Sequence, residues 1–434
     1  MKVWIDAAAE PIGLIVFGMG LVERHLRSVV RAAAGASMIG DSATGESATG
    51  ESATGGDSTT VVSEVVISLG PSAGPPALFS GLSDRLPIVT VVEEGTASQR
   101  LMRLLRRSAE PVIALSGKDI VDPRLVDWMM GRPSSLVARG TGEHADAVAL
   151  RLEPGAASWF PEREGSLAAA AARAYAEGRL APVVADEFPS FVPMLRRDLP
   201  YYLLRIVDEH SRDQCERFLF WSNYKGSTDV LTGYVFPPLV WWAVRPLAHW
   251  RVHPNLVTAL SVLLAFGVIP LFAAGEWAIA LALAYLMAVL DSVDGKLARL
   301  TYTDSKLGVI IDHGLDIIHP PLWYFAWAVG LGGGRLTDAA VLLCVLYVLD
   351  RIVLGIYKQR FKRGLHTRAP IDKAVRNVIA RRNTNLLIFT VGLALGAGPT
   401  AFYAVVVWQG LTLAYHAART LWSLLESRLL PARG

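Results

Sequence analysis

From about residue 251 onward the chain repeats one pattern, uncharged apolar stretches close to the roughly 20 residues that cross a bilayer, separated by short polar connections. The stretches fall at 256–274, 277–293, 309–330, 338–357, 386–400 and 402–422, which predicts six transmembrane helices, the fifth short and running through a Gly-rich end into the sixth. Residues 1–208 are patterned differently. Val61 to Leu69 and Pro87 to Val92 read as buried strands, and Glu23 to Ala34 and Ala97 to Arg107 as amphipathic helices, an alternation that predicts a soluble α/β domain. Inside it lies GDSATGESATGESAT, a polar unit restarting at Gly40, Gly45 and Gly50, which cannot bury a core and predicts a disordered insertion over 40–60. Residues 209–250 form a linker that ends in a juxtamembrane helix. Trp241, Trp242 and Trp250 alternate there with Arg245 and His249, the mixture expected of a helix lying in the membrane interface.

Composition sharpens this picture. In 434 residues, 52% are hydrophobic and 19% charged, an apolar excess that fits a membrane protein. The 42 Lys and Arg against 39 Asp and Glu leave a net charge of +3, which excludes a nucleic-acid binder working by bulk charge. Cys215 and Cys344 stand in unrelated contexts and support neither a disulfide framework nor a thiolate zinc site. Lys358, Arg360, Lys362, Arg363, Arg368, Lys373, Arg376, Arg381 and Arg382 crowd the fourth connection against the single acid Asp372, which predicts that this connection is cytoplasmic. The connection carrying Lys296, Arg299 and Lys306 then faces the cytosol too. MKVWIDAAAEPIG carries no signal-peptide pattern, so the N-terminal domain is expected on the same side.

Four aspartates stand where a membrane segment tolerates them least: Asp291 and Asp294 at the end of the second stretch, Asp312 and Asp316 early in the third. Spacings of three and four put each pair on one helical face, and the short connection brings the faces together. Four carboxylates at membrane depth repel one another unless cations neutralise them, and hard oxygen donors select Mg²⁺ or Mn²⁺. One or two such ions suit phosphoryl chemistry. A cation transporter with an aspartate-lined pathway would also explain the carboxylates, though not the small residues Gly295, Ala298 and Gly308, which allow a ligand to approach the helix backbone.

The full run is DSVDGKLARLTYTDSKLGVIIDHGLD. Its pattern, Asp291, Asp294, Gly295, Ala298, Arg299, Gly308, Asp312 and Asp316, resembles the signature of the CDP-alcohol phosphotransferase family at every position. The resemblance implies an α-helical integral membrane domain over 251–434 that transfers a substituted phosphate from a CDP-linked donor to an alcohol and releases CMP. It implies that Asp291, Asp294, Asp312 and Asp316 hold metal, Mg²⁺ or Mn²⁺ and two ions in number. Gly295, Ala298, Arg299 and Gly308 are implied to shape the cytidine-diphosphate site, and Asp316 to act as the catalytic base. CDP-diacylglycerol is the favoured donor, in phospholipid head-group synthesis at the cytoplasmic leaflet. A soluble CDP-polyol such as CDP-inositol, with a polyol-phosphate acceptor, is the alternative. Membrane lipids are expected partners, nucleic acid is not, and homodimers are known for the family. Pro254, Asn255 and Thr258 resemble the sequence that often opens its first span. Asp350 and Arg351 are costly intramembrane charges that pair with each other or stand at a helix end on one reading; on another, Arg351, Arg381 and Arg382 line a pocket for an anionic acceptor.

In the N-terminal domain, GLIVFGMGLVERHLRSVVRAAAGA and ALSGKDIVDPRLVDWMM resemble segments of sugar-phosphate nucleotidyltransferases, as in fused enzymes that form CDP-inositol and then use it. MKVWIDAAAE holds no Gly-rich phosphate loop, and Lys118 stands where that family has a metal-binding aspartate, with Asp119 and Asp122 the nearest carboxylates. Without a backbone cradle and a carboxylate for Mg²⁺ the domain reads as a degenerate, nucleotidyltransferase-like relative.

Overall fold

The computed structural model describes residues 1–9, 14–33, 62–71, 86–160, 165–303 and 306–429, so the repetitive insertion over 40–60 lies outside the described residues. Two compact units divide the described residues: those up to Tyr224, with Leu300–Tyr302, form the first, and Lys225–Arg299 with those from Thr303 onward the second.

The first unit is built on a seven-stranded sheet. Its strands are β1 (Lys2–Asp6), β2 (Glu64–Leu69), β3 (Ile88–Val92), β4 (Val112–Ser116), β6 (Leu136–Arg139), β7 (Val148–Leu152) and β8 (Ala181–Pro182); β5 (Asp119–Val121) pairs outside it with β11 (Leu203–Arg205), as β9 (Phe191–Val192) does with β10 (Arg197–Asp198). The order is β3-β2-β1-β4-β7-β6-β8, with β1 parallel to both β2 and β4 (Val3 opposite Val65 and Ile113) and β7 antiparallel to β4. Continuous apolar runs such as VIALS mark strands covered on both faces, and β4 is buried at every position. One face carries α1 (Leu21–Ala33) and α3 (Pro123–Met130), packed through Leu26, Val29, Leu125 and Val126 onto Val3, Ile5 and Ile113. The other carries α2 (Ala97–Arg107) and α4 (Leu167–Ala176), through Leu101, Leu105 and Ala170 onto Trp4 and Ala114. α2 begins at a capping box, in which Thr96 accepts from the Gln99 amide and the Gln99 side chain answers the Thr96 amide. The expected α/β alternation is present, and α5 (Glu209–Ser222) ends the unit.

The second unit is helical. After a π-turn at Leu231–Val235, α6 (Phe236–His249) leaves Leu239 and Trp242 largely exposed. α7 (Pro254–Ala273) starts where the His253 ring accepts from the Asn255 amide and Pro254 takes the first position. α8 (Trp277–Leu300), α9 (Lys306–Gly330) and α10 (Arg335–Phe361) follow, then the short α11 (Pro370–Val375), α12 (Arg382–Ala394) and α13 (Gly398–Leu429). Among the described residues α7, α8 and α10 are long and apolar enough to cross a membrane. The fifth stretch forms a helix at Arg382–Ala394 rather than over 386–400: Gly396 at φ +71° breaks the chain and Gly398-Pro399 opens α13. With 13 residues, α12 spans only about 20 Å.

The core of this unit is aromatic. Trp327 stacks on Phe389 with centroids 4.2 Å apart, and the indole of Trp323 donates to the Ala265 carbonyl at 2.7 Å, joining α9 to α12 and α7. α9 ends close against α7: a Cβ on Gly330 would lie 2.0 Å from the Phe272 carbonyl oxygen, so only glycine fits.

Candidate active site on the second and third apolar helices

α8 carries five of the eight signature positions. Asp291 and Asp294 lie three residues apart and so on one helical face. Asp294 is 5% exposed, and its Oδ2 accepts the Thr258 hydroxyl from α7 at 2.7 Å. That hydroxyl also lies 3.2 Å from the Pro254 carbonyl, four residues earlier. The Pro-Asn-x-x-Thr opening of α7 thereby acquires a structural reason: it places one oxygen against the carboxylate. Asp291 is half-buried, and its Oδ2 accepts Nη2 of Arg382, the first residue of α12, at 2.7 Å. A buried carboxylate must be matched by charge or donors, and these two are matched from two different helices.

Gly295 and Arg299 are one turn apart. A Cβ on Gly295 would meet Arg299 Nη1 at 3.3 Å, so the missing side chain is the seat of the guanidinium, folded back along its own helix. Ala298 is half-buried beside it. Gly308, Asp312 and Asp316 fall on the first turns of α9, where the spacing of four puts the two aspartates on one face; their side chains lie outside the described ones. Among the described residues no three His, Cys, Asp or Glu side chains gather at one point. The donor set still fits a hard divalent ion, because all four side chains on the two helices are carboxylates.

Sequence reasoning missed the partners. Asp350 does not pair with Arg351: adjacent residues on a helix point about 100° apart, and the Asp350 carboxylate instead meets Nδ1 of His416 on α13 at 2.5 Å. Arg351 lies over the Tyr347 ring at 4.8 Å. Arg382 is bonded to Asp291, as above, and Asn383 beside it donates to Asp229 Oδ1 at 3.2 Å and to Thr232 Oγ1 at 3.0 Å. The Arg382 contact was legible only as a basic residue at the start of an apolar run.

In the first unit, both carboxylates near Lys118 are already committed. Asp119 is wholly buried, accepts two bonds from Arg205 (2.8 and 3.1 Å) and one from the Val148 amide, and burial raises its pKa despite them. Asp122 caps α3 through the Arg124 amide and pairs with the Arg124 guanidinium at 2.6 Å, with its pKa likewise raised by burial. At the end of β1, Asp6 is held by Arg100 at 2.5 Å, and Arg100 Nε donates to Ser68 at the end of β2. The carboxyl ends of these central parallel strands, where open α/β sheets bind ligands, are thus crossed by a buried ion pair.

Residues 251–417 match the family model of CDP-alcohol phosphatidyltransferases. Over 112 residues the chain is 34% identical to the CDP-diacylglycerol–serine O-phosphatidyltransferase of Helicobacter pylori, covering 25% of this chain and 46% of that protein. Over 117 residues it is 32% identical to an uncharacterised class-I family member of Schizosaccharomyces pombe, covering 22% and 29%. The chain therefore spans less than half the length of either relative. The crystal structure of the Mycobacterium tuberculosis phosphatidylinositol phosphate synthase with CDP-DAG bound superposes at a TM-score of 0.34 and 16% identity, over 43% of this chain and 93% of that one. The match to the CDP-alcohol phosphatidyltransferase family model thus falls on residues 251–417, the part of the chain that carries the signature aspartates on α8 and α9.

Proposed function

We propose that this chain transfers a substituted phosphate from a CDP-linked donor, CDP-diacylglycerol in the first place, to an alcohol, with release of CMP. The observation that carries this reading is the eight-position signature laid across α8 and α9, with Asp294 held from α7 and Asp291 from α12. Asp291, Asp294, Asp312 and Asp316 would hold divalent cations, Mg²⁺ or Mn²⁺, which supply charge neutralisation at a diphosphate. Thr258 fixes the rotamer of Asp294, and Arg382 shares the charge of Asp291. Arg299, lying on Gly295, offers a guanidinium to a phosphate oxygen, with Ala298 and Gly308 keeping the helix surfaces low beside it. Asp316 takes the proton of the acceptor hydroxyl. The acceptor oxygen forms a bond to the phosphorus that bears the donor's alcohol group, and the bond from that phosphorus to the CMP oxygen breaks.

The wider arrangement belongs to the same proposal: six spans, with the basic 358–382 connection, the site and the N-terminal domain on the cytoplasmic side. The N-terminal domain acts as a degenerate nucleotidyltransferase relative, since Asp6, Asp119 and Asp122 are all held by arginines. Its resemblance keeps a CDP-polyol in view as donor. The test is CMP release by the purified chain in nanodiscs with CDP-diacylglycerol and CDP-inositol offered separately. Release from CDP-diacylglycerol supports the reading; release from CDP-inositol alone replaces the donor; cation flux in liposomes without CMP release replaces the reaction with transport.

A further inference from the structure

Asp229, on the stretch that leads into α6, is a buried carboxylate whose hydrogen-bond partners among the described residues are all neutral. Its Oδ1 accepts the Thr232 amide at 3.0 Å and Asn383 Nδ2 at 3.2 Å, and its Oδ2 accepts the Thr232 hydroxyl at 2.9 Å. Taking a charge out of water is costly unless an opposite charge answers it. Here the hydrogen bonds lead on to one, the guanidinium of Arg382.

Asn383 makes the connection, and its orientation is dictated. Asp229 can only accept, and the Thr232 hydroxyl has given its hydrogen to Asp229, so it too can only accept. Both face Asn383 Nδ2, at 3.2 and 3.0 Å. The amide is therefore fixed with its NH₂ toward them and its Oδ1 turned to Arg382, whose Nε donates to it at 3.2 Å. Arg382 Nη2 donates to Asp291 Oδ2 at 2.7 Å. Nε and Nη2 lie on one edge of the planar guanidinium, so a single rigid fork bridges the Asn383 oxygen and the signature carboxylate. A cap for the turn at Leu231–Val235 would not need this carboxylate, since asparagine caps as well as aspartate. Only an acceptor without a hydrogen to give settles which way the Asn383 amide points.

We propose that Asp229, Thr232 and Asn383 are positioning residues for the metal site: they lock the Arg382 guanidinium and, through it, the pose in which Asp291 meets a divalent cation. The assignment rests on the metal role proposed above for Asp291. It also ties the start of the juxtamembrane helix to the signature. Thr232 lies in the π-turn that runs into α6, and the Val230 amide donates to the Asn377 carbonyl, in the connection ahead of α12, at 3.1 Å.

The test is equilibrium Mn²⁺ binding to the full chain in nanodiscs, read from the paramagnetic resonance of the free ion, beside donor and acceptor KM in CMP release. Asp229→Asn keeps the shape and the turn but gives the Asn383 amide two orientations; Asn383→Ala cuts the connection. Each is expected to weaken Mn²⁺ binding by about tenfold, the usual order for a group that orients a metal ligand, and to lower kcat/KM in parallel. In an Arg382→Gln background neither change should cost anything further, because the fork they hold is gone. A role in helix packing alone gives the same loss with or without Arg382. Parent-like Mn²⁺ affinity in Asp229→Asn, equal losses in both backgrounds, or a parent that binds no Mn²⁺ would each overturn the assignment. Mn²⁺ losses that depend on Arg382, with no CMP release from any CDP-linked donor, leave the positioning network standing and sink the transfer reading. CMP release with Mn²⁺ affinity unchanged in the variants does the reverse.

Discussion

The Thr258 hydroxyl donates to Asp294 Oδ2 at 2.7 Å, joining the first apolar helix to the signature carboxylate of the second. A carboxylate pinned in this way presents its remaining lone pairs in one direction, which matters for a group expected to share a cation.

Thr258→Val keeps the volume and removes the donor. CMP release is expected to fall by about 10- to 100-fold in kcat/KM, the usual cost of losing a group that orients a metal ligand, and Thr258→Ser is expected to recover most of it. Equal rates in Thr258→Val and the parent would show that Asp294 needs no such orientation.

Gly295→Ala tests the seat of Arg299. The new methyl group would stand 3.3 Å from Nη1, so the guanidinium must shift by a few tenths of an ångström from its seat. The expected outcome is a raised KM for the CDP-linked donor, by about tenfold, with acceptor KM unchanged. A variant with parental donor KM would remove Arg299 from phosphate binding.

In the first unit, His25 is buried, donates to the Ser116 carbonyl at 3.1 Å, and has its pKa lowered by burial from 6.5 to about 4. A base with a depressed folded value takes up its proton later than the unfolded chain does. The stability is therefore complete above about pH 6.5 and is lost as pH falls through about 4, by roughly 3 kcal/mol. Thermal unfolding of the full chain between pH 7 and pH 4.5 should decline less steeply in His25→Gln than in the parent; parallel curves would contradict the assignment.

Arg205→Met strands the Asp119 carboxylate without its two guanidinium bonds. An unpaired buried charge of this kind costs about 3–5 kcal/mol, which differential scanning of the full chain would read as a lowered first transition. Arg205→Met combined with Asp119→Leu should recover much of the loss.

What the sequence made legible follows physical range. Carboxylates at three- and four-residue spacing declare a shared face wherever the helix runs, so Asp291 with Asp294 and Asp312 with Asp316 could be paired by counting. Strand and helix positions in the first unit were equally open, because β2 and α2 are written in local periodicity and capping. Contacts between helices left no such trace. Thr258 to Asp294 spans 36 residues, Arg382 to Asp291 spans 91, and Asp350 to His416 spans 66. Nothing local in Asp350-Arg351 favours a histidine on α13 over its own neighbour; only helix geometry decides it. The fifth apolar stretch was misplaced for a similar reason. Apolar composition runs on past Ala394 into Leu395, whereas the backbone at Gly396 does not.

The most direct measurement is acceptor-dependent CMP release by the purified chain in nanodiscs, with Mg²⁺ or with chelator, for the parent, Asp291→Asn and Asp316→Asn. The account predicts release only with the divalent ion, none in Asp291→Asn, and in Asp316→Asn a turnover lowered by about 10²-fold or more with donor binding largely kept. Metal-independent release, or full turnover in Asp316→Asn, would contradict it.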